Sequence, residues 1–196
     1  MPKKINKEKK IINFLAEAGQ LKRVKRSGWW VLGVKDPESV AEHCFRCAVM
    51  GYILAKMEKA DSHKVLLMTL FNDIHEARIN DLHKMGHTYI DFKEAEKRVF
   101  HEQKELLPEI MKNELDSLRS EYDKQHSKEA IVARDADILE CILQAREYMD
   151  LGVRHASSFI DVGRKFLKTK SAKRLVKNIK SWNSKDWWFH LKTFVR

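Results

Sequence analysis

Residues 65–76 read Val-Leu-Leu-Met-Thr-Leu-Phe-Asn-Asp-Ile-His-Glu, and the fold turns on them. Val65, Leu66, Met68, Leu70 and Phe71 leave no polar side to a helix, so this helix must be covered by others and belongs at the centre of the core. It runs directly into Asn72, Asp73, His75 and Glu76. Burying an ionised carboxylate costs several kcal/mol unless it is paired or bound to a cation, so Asp73 needs a partner. Asp137 poses the same question, because it follows Ile131, Val132 and Ala133 and precedes Ile138, Leu139, Ile142 and Leu143. Upstream, Pro37-Glu38-Ser39 opens a helix whose apolar positions Val40, Cys44, Cys47, Ala48, Gly51 and Leu54 suit a closely packed element, with His43 inside it. Three helices thus bring His43, Asp73 and Asp137 from buried faces and could converge on one divalent metal with nitrogen and oxygen donors. Taken singly, each residue also has a plain reading as a helix cap, an arginine partner or a satisfied core histidine.

Working outward, Ile11, Ile12, Phe14, Leu15 and Ala18 predict an opening helix over about 4–18, stopped by Gly19. From Leu21 to Pro37 the pattern is irregular: Lys22, Arg23, Lys25 and Arg26 lead into Ser27-Gly28-Trp29-Trp30, a loop in which Gly28 can take backbone angles closed to other residues. After a loop over 77–90, helices are expected from about Phe92 to Leu107, after Pro108, and from about Lys128 to Asp150, the last carrying Asp135, Asp137 and Glu140. Two shorter helices and the tryptophans Trp182, Trp187 and Trp188 close the chain. With 7 Gly and 3 Pro in 196 residues there is little material for hairpins or linkers, and no internal repeat is found. The expected architecture is all-α, one domain over 1–196, with a core at about 10–150 and a C-terminal helical extension at about 157–196.

No run approaches the ~20 apolar residues of a membrane span, and the lysine-rich start precedes an amphipathic segment rather than a secretory one, so no membrane and a cytoplasmic address are expected. Cys44, Cys47 and Cys141 cannot all pair within one chain, and Cys44-x-x-Cys47 lacks the second pair of a zinc site; all three are read as reduced and packed. The net charge of +10 is concentrated at the two ends: residues 1–35 carry +8, residues 36–162 carry −8 and residues 163–196 carry +10. The basic tail has the charge to grip nucleic acid, but its Lys and Arg interleave with Phe166, Leu167, Leu175, Val176 and Ile179 at helical spacing, as on a solvated face, so nucleic acid is not the favoured partner. The acidic, histidine-bearing middle is what a cation site would look like.

Pro37-Glu38-Ser39-Val40-Ala41-Glu42-His43 with Arg46, then Asn72-Asp73-x-x-Glu76 with Asp81, then Ala136-Asp137 with Ile142-Leu143-Gln144-Ala145, closely resemble the HD-domain metal-dependent phosphohydrolases. The Gly28-Trp29 loop is similar to that of the small all-helical 5′-deoxynucleotidase branch. The resemblance covers about residues 10–150 and implies a compact helical bundle with the metal site between central helices. It implies His43, residue 72, Asp73 and Asp137 as ligands of a divalent ion (Mn, Co, Mg, Zn, Ni or Fe). Glu76 and Asp81 would be the acid/base or water-orienting pair, Arg46 a fork for phosphate oxygens, and Arg26 with Trp29 a cover for the nucleoside. Trp29 and Trp30 could also be core anchors of their loop. A nucleotide substrate and a homodimer follow from the same resemblance, with the charged helices near 92–107 and 109–124 as a candidate symmetric surface.

The family's His-Asp dipeptide reads Asn72-Asp73 here, so a carbonyl oxygen replaces a ring nitrogen and weaker metal retention is expected. His75 is read as a surface or loop histidine rather than a substitute. The implied activity is hydrolysis of deoxyribonucleoside 5′-monophosphates. The alternatives are hydrolysis of a triphosphate, cyclic or alarmone nucleotide, and a metal-poor nucleotide- or nucleic-acid-binding protein.

Overall fold

The computed structural model describes residues 6–189; positions 4–5 of the expected opening helix and the end of the C-terminal extension lie outside them. Ten α-helices follow in order: α1 (Lys7–Gln20), α2 (Val40–Glu58), α3 (Ser62–Phe71), α4 (Glu76–Ile79), α5 (Phe92–Lys104), α6 (Glu109–Lys124), α7 (Lys128–Asp150), α8 (Ser157–Gly163), α9 (Lys170–Ile179) and α10 (Asp186–Phe189). There is no β-strand among the described residues; an isolated antiparallel bridge pairs Lys25 with Ser39.

Local chemistry sets most of the boundaries. Asn6, Asp61, Asp91, Ser127 and Thr169 each accept a backbone N–H of the following first turn. Ser39 and Glu42 satisfy each other's backbone in a reciprocal capping box at the start of α2. Each such cap is worth about 1 kcal/mol, and together they fix where α2, α3 and α7 start and so how their buried faces line up.

α2, α3 and α7 form the centre, with α6, α8 and α9 packed around α7. Val65, Met68, Val132, Ala133, Ala136 and Ile142 are almost wholly buried, and one continuous apolar cluster runs from Phe14 to Ile179. α2 comes very close to α3 at Gly51, where a Cβ would meet side-chain atoms of Val65 and Thr69 at 3.1 Å. A larger residue would push those side chains back, so the glycine eases this approach, which brings the end of α3 against the face of α2 that carries His43.

Several boundaries differ from the expectation. α1 continues through Gly19 to Gln20, held by intrahelical bonds and N–H groups of Leu21 and Lys22 on the carbonyls of Ala18 and Gly19. The segment 27–32 is a 3₁₀ helix, and the glycine in the left-handed region is Gly33, at φ 81°, rather than Gly28. α5 stops at Lys104, and the expected loop 77–90 contains most of α4 and a 3₁₀ turn at 86–88. The polar stretch 72–75 is not a continuation of α3: the N–H groups of Ile74, Glu76 and Ala77 reach back only three residues, so the chain passes from Phe71 into α4 through tight turns.

Candidate metal and substrate site

The buried face of α2 presents His43, which is 1% exposed. Its Nδ1 lies 2.5 Å from Oε2 of Glu140 on α7, which fixes the ring and leaves Nε2 facing inward. Nε2 lies 3.2 Å from Oδ1 of Asp137 and 3.4 Å from Oδ2 of Asp73. Thus α2, α7 and the turn after α3 deliver His43, Asp137 and Asp73 to one place. Asn72 lines the same small cavity, together with Cys47 and Tyr122. Its amide Nδ2 donates to Oδ1 of Asp73 at 2.6 Å, while its backbone carbonyl accepts from Arg119.

Arg26 and Asp81 stand beside this cluster. Arg26 Nη1 is 3.9 Å from Asp73 and its Nε is 3.7 Å from Asp81, while Nη2 donates to the sulfur of Cys141 at 3.2 Å. Asp81 is held in turn by the backbone N–H of Ser27 at 2.9 Å. Glu76 is buried, and its Oε2 has no hydrogen-bond partner among the described residues.

Charge explains the protonation pattern. Burial holds the Glu76 carboxyl well above the usual carboxylate range, helped by Asp73 and Asp81 and opposed by Arg26 and His43. Burial would raise Asp73 as well, but His43 and Arg26 outweigh it and hold that carboxyl low. Asp137 is also lowered against burial, by His43 and Arg134. Burial and Arg26 would each lower His43; its neighbours Cys47, Glu140 and Asp137 override both and raise it well above the ordinary value.

Donors that could hold a divalent ion gather around His43. Two groups, His43 with Asp137 and Cys141, and His43 with Cys47 and Glu140, place their ligand atoms within 4.8 Å of one another. His43 is common to both, with Asp73 on its inner nitrogen as well.

Two residues expected at the substrate are placed elsewhere. Trp29 is 2% exposed, its ring 4.5 Å from that of Phe159 and 5.1 Å from that of Tyr148, and its Nε1 donates to Glu38 at 3.0 Å. That is the position of a core anchor rather than a nucleoside cover. Arg46 donates to Glu140, Glu147 and Gln144, so its fork is spent on α7 and it acts on His43 through Glu140. His75, expected at the surface, is buried against Phe92 with Nε2 3.4 Å from Glu96.

Reading the sequence missed Glu140 as the partner of His43, although a carboxylate between Leu139 and Ile142 in an apolar helix was a signal. It also missed Cys47, whose signal was its place one helical turn after His43.

The HD domain family profile matches residues 18–182. The chain is 37% identical over 142 residues to the 5′-deoxynucleotidase HDDC2 of Bos taurus, covering 72% of this chain and 69% of that one, and 36% identical over the same shares to that of Homo sapiens. Among solved structures it is similar to a conserved hypothetical protein from Pyrococcus furiosus, with a TM-score of 0.72 and 32% identity over 87% of this chain and 99% of the other. The chain belongs to the HD domain family, the metal-dependent phosphohydrolases that the ordered segments around His43, Asp73 and Asp137 resemble.

Proposed function

We propose that the chain is a metal-dependent 5′-deoxynucleotidase that hydrolyses deoxyribonucleoside 5′-monophosphates to deoxynucleoside and phosphate. The observation that carries this reading is the position of His43 Nε2 between the carboxylates of Asp73 and Asp137, with Glu76 buried nearby and its Oε2 without a hydrogen-bond partner among the described residues. The names of the bovine and human relatives supply the substrate class.

On this reading His43, Asp73 and Asp137 hold a divalent ion, with Asn72 at the fourth expected position. Such an ion polarises a phosphoryl oxygen and lowers the pKa of bound water. Glu140 orients His43 by accepting a hydrogen bond from its Nδ1–H; against burial, His43 and then Arg46 hold that carboxylate low, and Arg46 keeps it in place. Glu76 holds a proton that it can give to the leaving 5′-oxygen. Asp81, anchored by Ser27, aims the Arg26 guanidinium, whose fork suits phosphate oxygens.

The enzyme acts in this proposal as one HD domain, in the cytoplasm and as a homodimer. No helix among the described residues is long and apolar enough to cross a membrane, and all three cysteines are free, in keeping with a reducing compartment. The outward face of α2 supports self-association better than the charged α5 and α6. Phe45, Val49, Tyr52 and Ile53 are all exposed there. The neighbouring charges are turned to partners: Glu42 to Ser39, Arg46 to α7, Lys56 to the ring of Tyr52 and Glu58 to Ser171. Phe45→Lys is expected to convert a dimer to a monomer in sedimentation equilibrium; a parent chain that already sediments as a monomer refutes the dimer.

Phosphate release from a panel of 5′-mononucleotides, with Mn²⁺, Co²⁺ or Mg²⁺ added, tests the activity. Release from deoxynucleoside monophosphates, lost in Glu76→Gln, is expected. Release only from triphosphate, cyclic or alarmone nucleotides moves the substrate within the family. Nucleotide binding without release or bound metal leaves a binding protein.

A further inference from the structure

We propose that Arg119 of α6, seconded by Gln103 of α5, is a positioning residue for the site: it holds the turn 72–75, and through that turn the carboxylate of Asp73, beside His43. The inference rests on reading the cavity as the metal site of a phosphohydrolase and goes further by naming what fixes the one acid of the site that lies outside a helix.

His43 and Asp137 stand within α2 and α7, where the hydrogen bonds of long helices hold them. Asp73 lacks that support. The N–H of Glu76, which in a continuing α-helix would bond the carbonyl of Asn72, goes to the carbonyl of Asp73 at 3.0 Å, and that of Ile74 reaches back only to Phe71. The carbonyl of Asn72 is left for a side chain, and Nη1 of Arg119 donates to it at 3.1 Å. On the other side of Asp73, the carbonyl of Ile74 accepts Nε2 of Gln103 at 3.0 Å in addition to the N–H of Ala77. Side chains of α6 and α5 thus hold the backbone on both flanks of Asp73.

Arg119 is itself fixed. Its Nη2 lies 3.3 Å from Glu96 of α5 and its Nε 3.1 Å from Asp123, one turn further along α6, while the guanidinium sits 5.6 Å from the centre of the Phe100 ring. The other oxygen of Glu96 lies 3.4 Å from Nε2 of His75, so the same ion pair braces the turn at a second residue. Gln103 is 1% exposed, and its Nε2 also donates to Glu17 of α1 at 3.0 Å. A planar fork with donors in fixed directions suits the task, since it joins the Asn72 carbonyl to the Glu96 carboxylate in one geometry. Oδ2 of Asp73 stands 3.4 Å from Nε2 of His43, and any displacement of the turn is passed on to that distance. Groups that orient a ligand without touching the ion are worth about ten- to hundredfold in metal affinity.

Mn²⁺ binding to the full chain by isothermal titration, read beside urea unfolding, tests this. Arg119→Met keeps the apolar stem and loses the fork, and it should bind Mn²⁺ about tenfold more weakly or worse. Arg119→Lys keeps the charge without the fork and should recover only part of the loss. Gln103→Leu should lose less than Arg119→Met, because the Ile74 carbonyl keeps the N–H of Ala77. Arg78→Met is the control for stability alone: the Arg78 side chain is occupied by Glu17 and Glu102, so its loss should lower the urea midpoint and leave Mn²⁺ affinity unchanged. A folded Arg119→Met with the affinity of the parent chain overturns the proposal, as does an equal loss in Arg78→Met or a parent chain that binds no Mn²⁺. Should Arg119→Met fail to fold, Arg119→Lys and Gln103→Leu carry the same comparison. If Mn²⁺ binding depends on Arg119 as expected while no deoxynucleotide is hydrolysed, the positioning role stands and the substrate reading fails; hydrolysis that Arg119→Met leaves intact is the reverse.

Discussion

Asp135 and Asp137 lie two residues apart on α7, and their surroundings have nothing in common. Asp135 is 1% exposed and takes the backbone N–H groups of Lys168 and Thr169 at 2.6–3.0 Å, tying the start of α9 to α7. Asp137, less deeply buried, faces His43 on one side and Arg134 on the other. One carboxylate answers to a backbone that has no other partner; the other stands in a field of acids arranged around an imidazole. A buried acid in an apolar helix is therefore not in itself a sign of chemistry, and what identifies a site is the partner set.

Exchanging the acids for amides separates the two. In Asp137→Asn, phosphate release should fall about a hundredfold or more, the scale of losing one transition-state electrostatic contact, while the melting temperature stays near that of the parent chain. Retained activity would remove Asp137 from the metal site. Asp135→Asn should do the opposite: Oδ2 alone can accept both N–H groups, but an amide nitrogen in place of Oδ1 sets a donor against the N–H of Lys168 and the charge that strengthens both bonds is lost, at a cost of about 1–3 kcal/mol in urea unfolding, and turnover per folded molecule is unchanged. An unaltered unfolding midpoint would contradict the tie.

Asn72→His sharpens the comparison from the α3 side. Adding an imidazole beside Asp73 should raise metal content after dialysis, and activity with it, by about tenfold. No gain in metal would mean that the side chain at 72 does not reach the ion.

The smallest effect concerns Glu38, below Trp29. Burial, reinforced by the charge of Glu140, pushes its carboxyl up to about 7. Between the unfolded value near 4.5 and that point the folded chain holds a proton that the unfolded chain has released, so the contribution of this group is fully present below about pH 4.5 and is lost as pH rises toward 7. Glu38→Gln keeps the acceptor for Trp29 and should flatten that part of the stability profile measured by urea unfolding. An unchanged slope would show that Glu38 ionises normally in the fold.

Much of this was legible in the residues. The periods around Val65–Phe71 and Ile131–Leu143 predicted buried helices, Pro37-Glu38-Ser39 marked the start of α2, and His43, Asp73 and Asp137 were singled out because each charged or titratable group sat where water should be absent. What failed was of another kind. Gly19 and Gly28 looked like breakers, but one is absorbed by continuing helix bonds and the other lies in a 3₁₀ turn. Trp29 and Arg46 were expected at the substrate, yet Tyr148, Phe159, Glu140 and Glu147, more than ninety residues away in sequence, claim them first. Glu140 and Cys47 gained their meaning only when α7 and α2 met.

Helical period and capping are local, and each records which face is kept from water, so the residues alone were enough for the helices, the identity of the central ones and the three polar side chains that had to be explained. It took the packing of the helices to turn Asp137 to His43 and Asp135 to the backbone at the start of α9, to set the Asn72 amide nitrogen on Asp73, and to stand Cys47 3.5 Å from the inner nitrogen of His43. Those are distances between helices far apart in the chain, and they are set by how closely α2, α3 and α7 can approach.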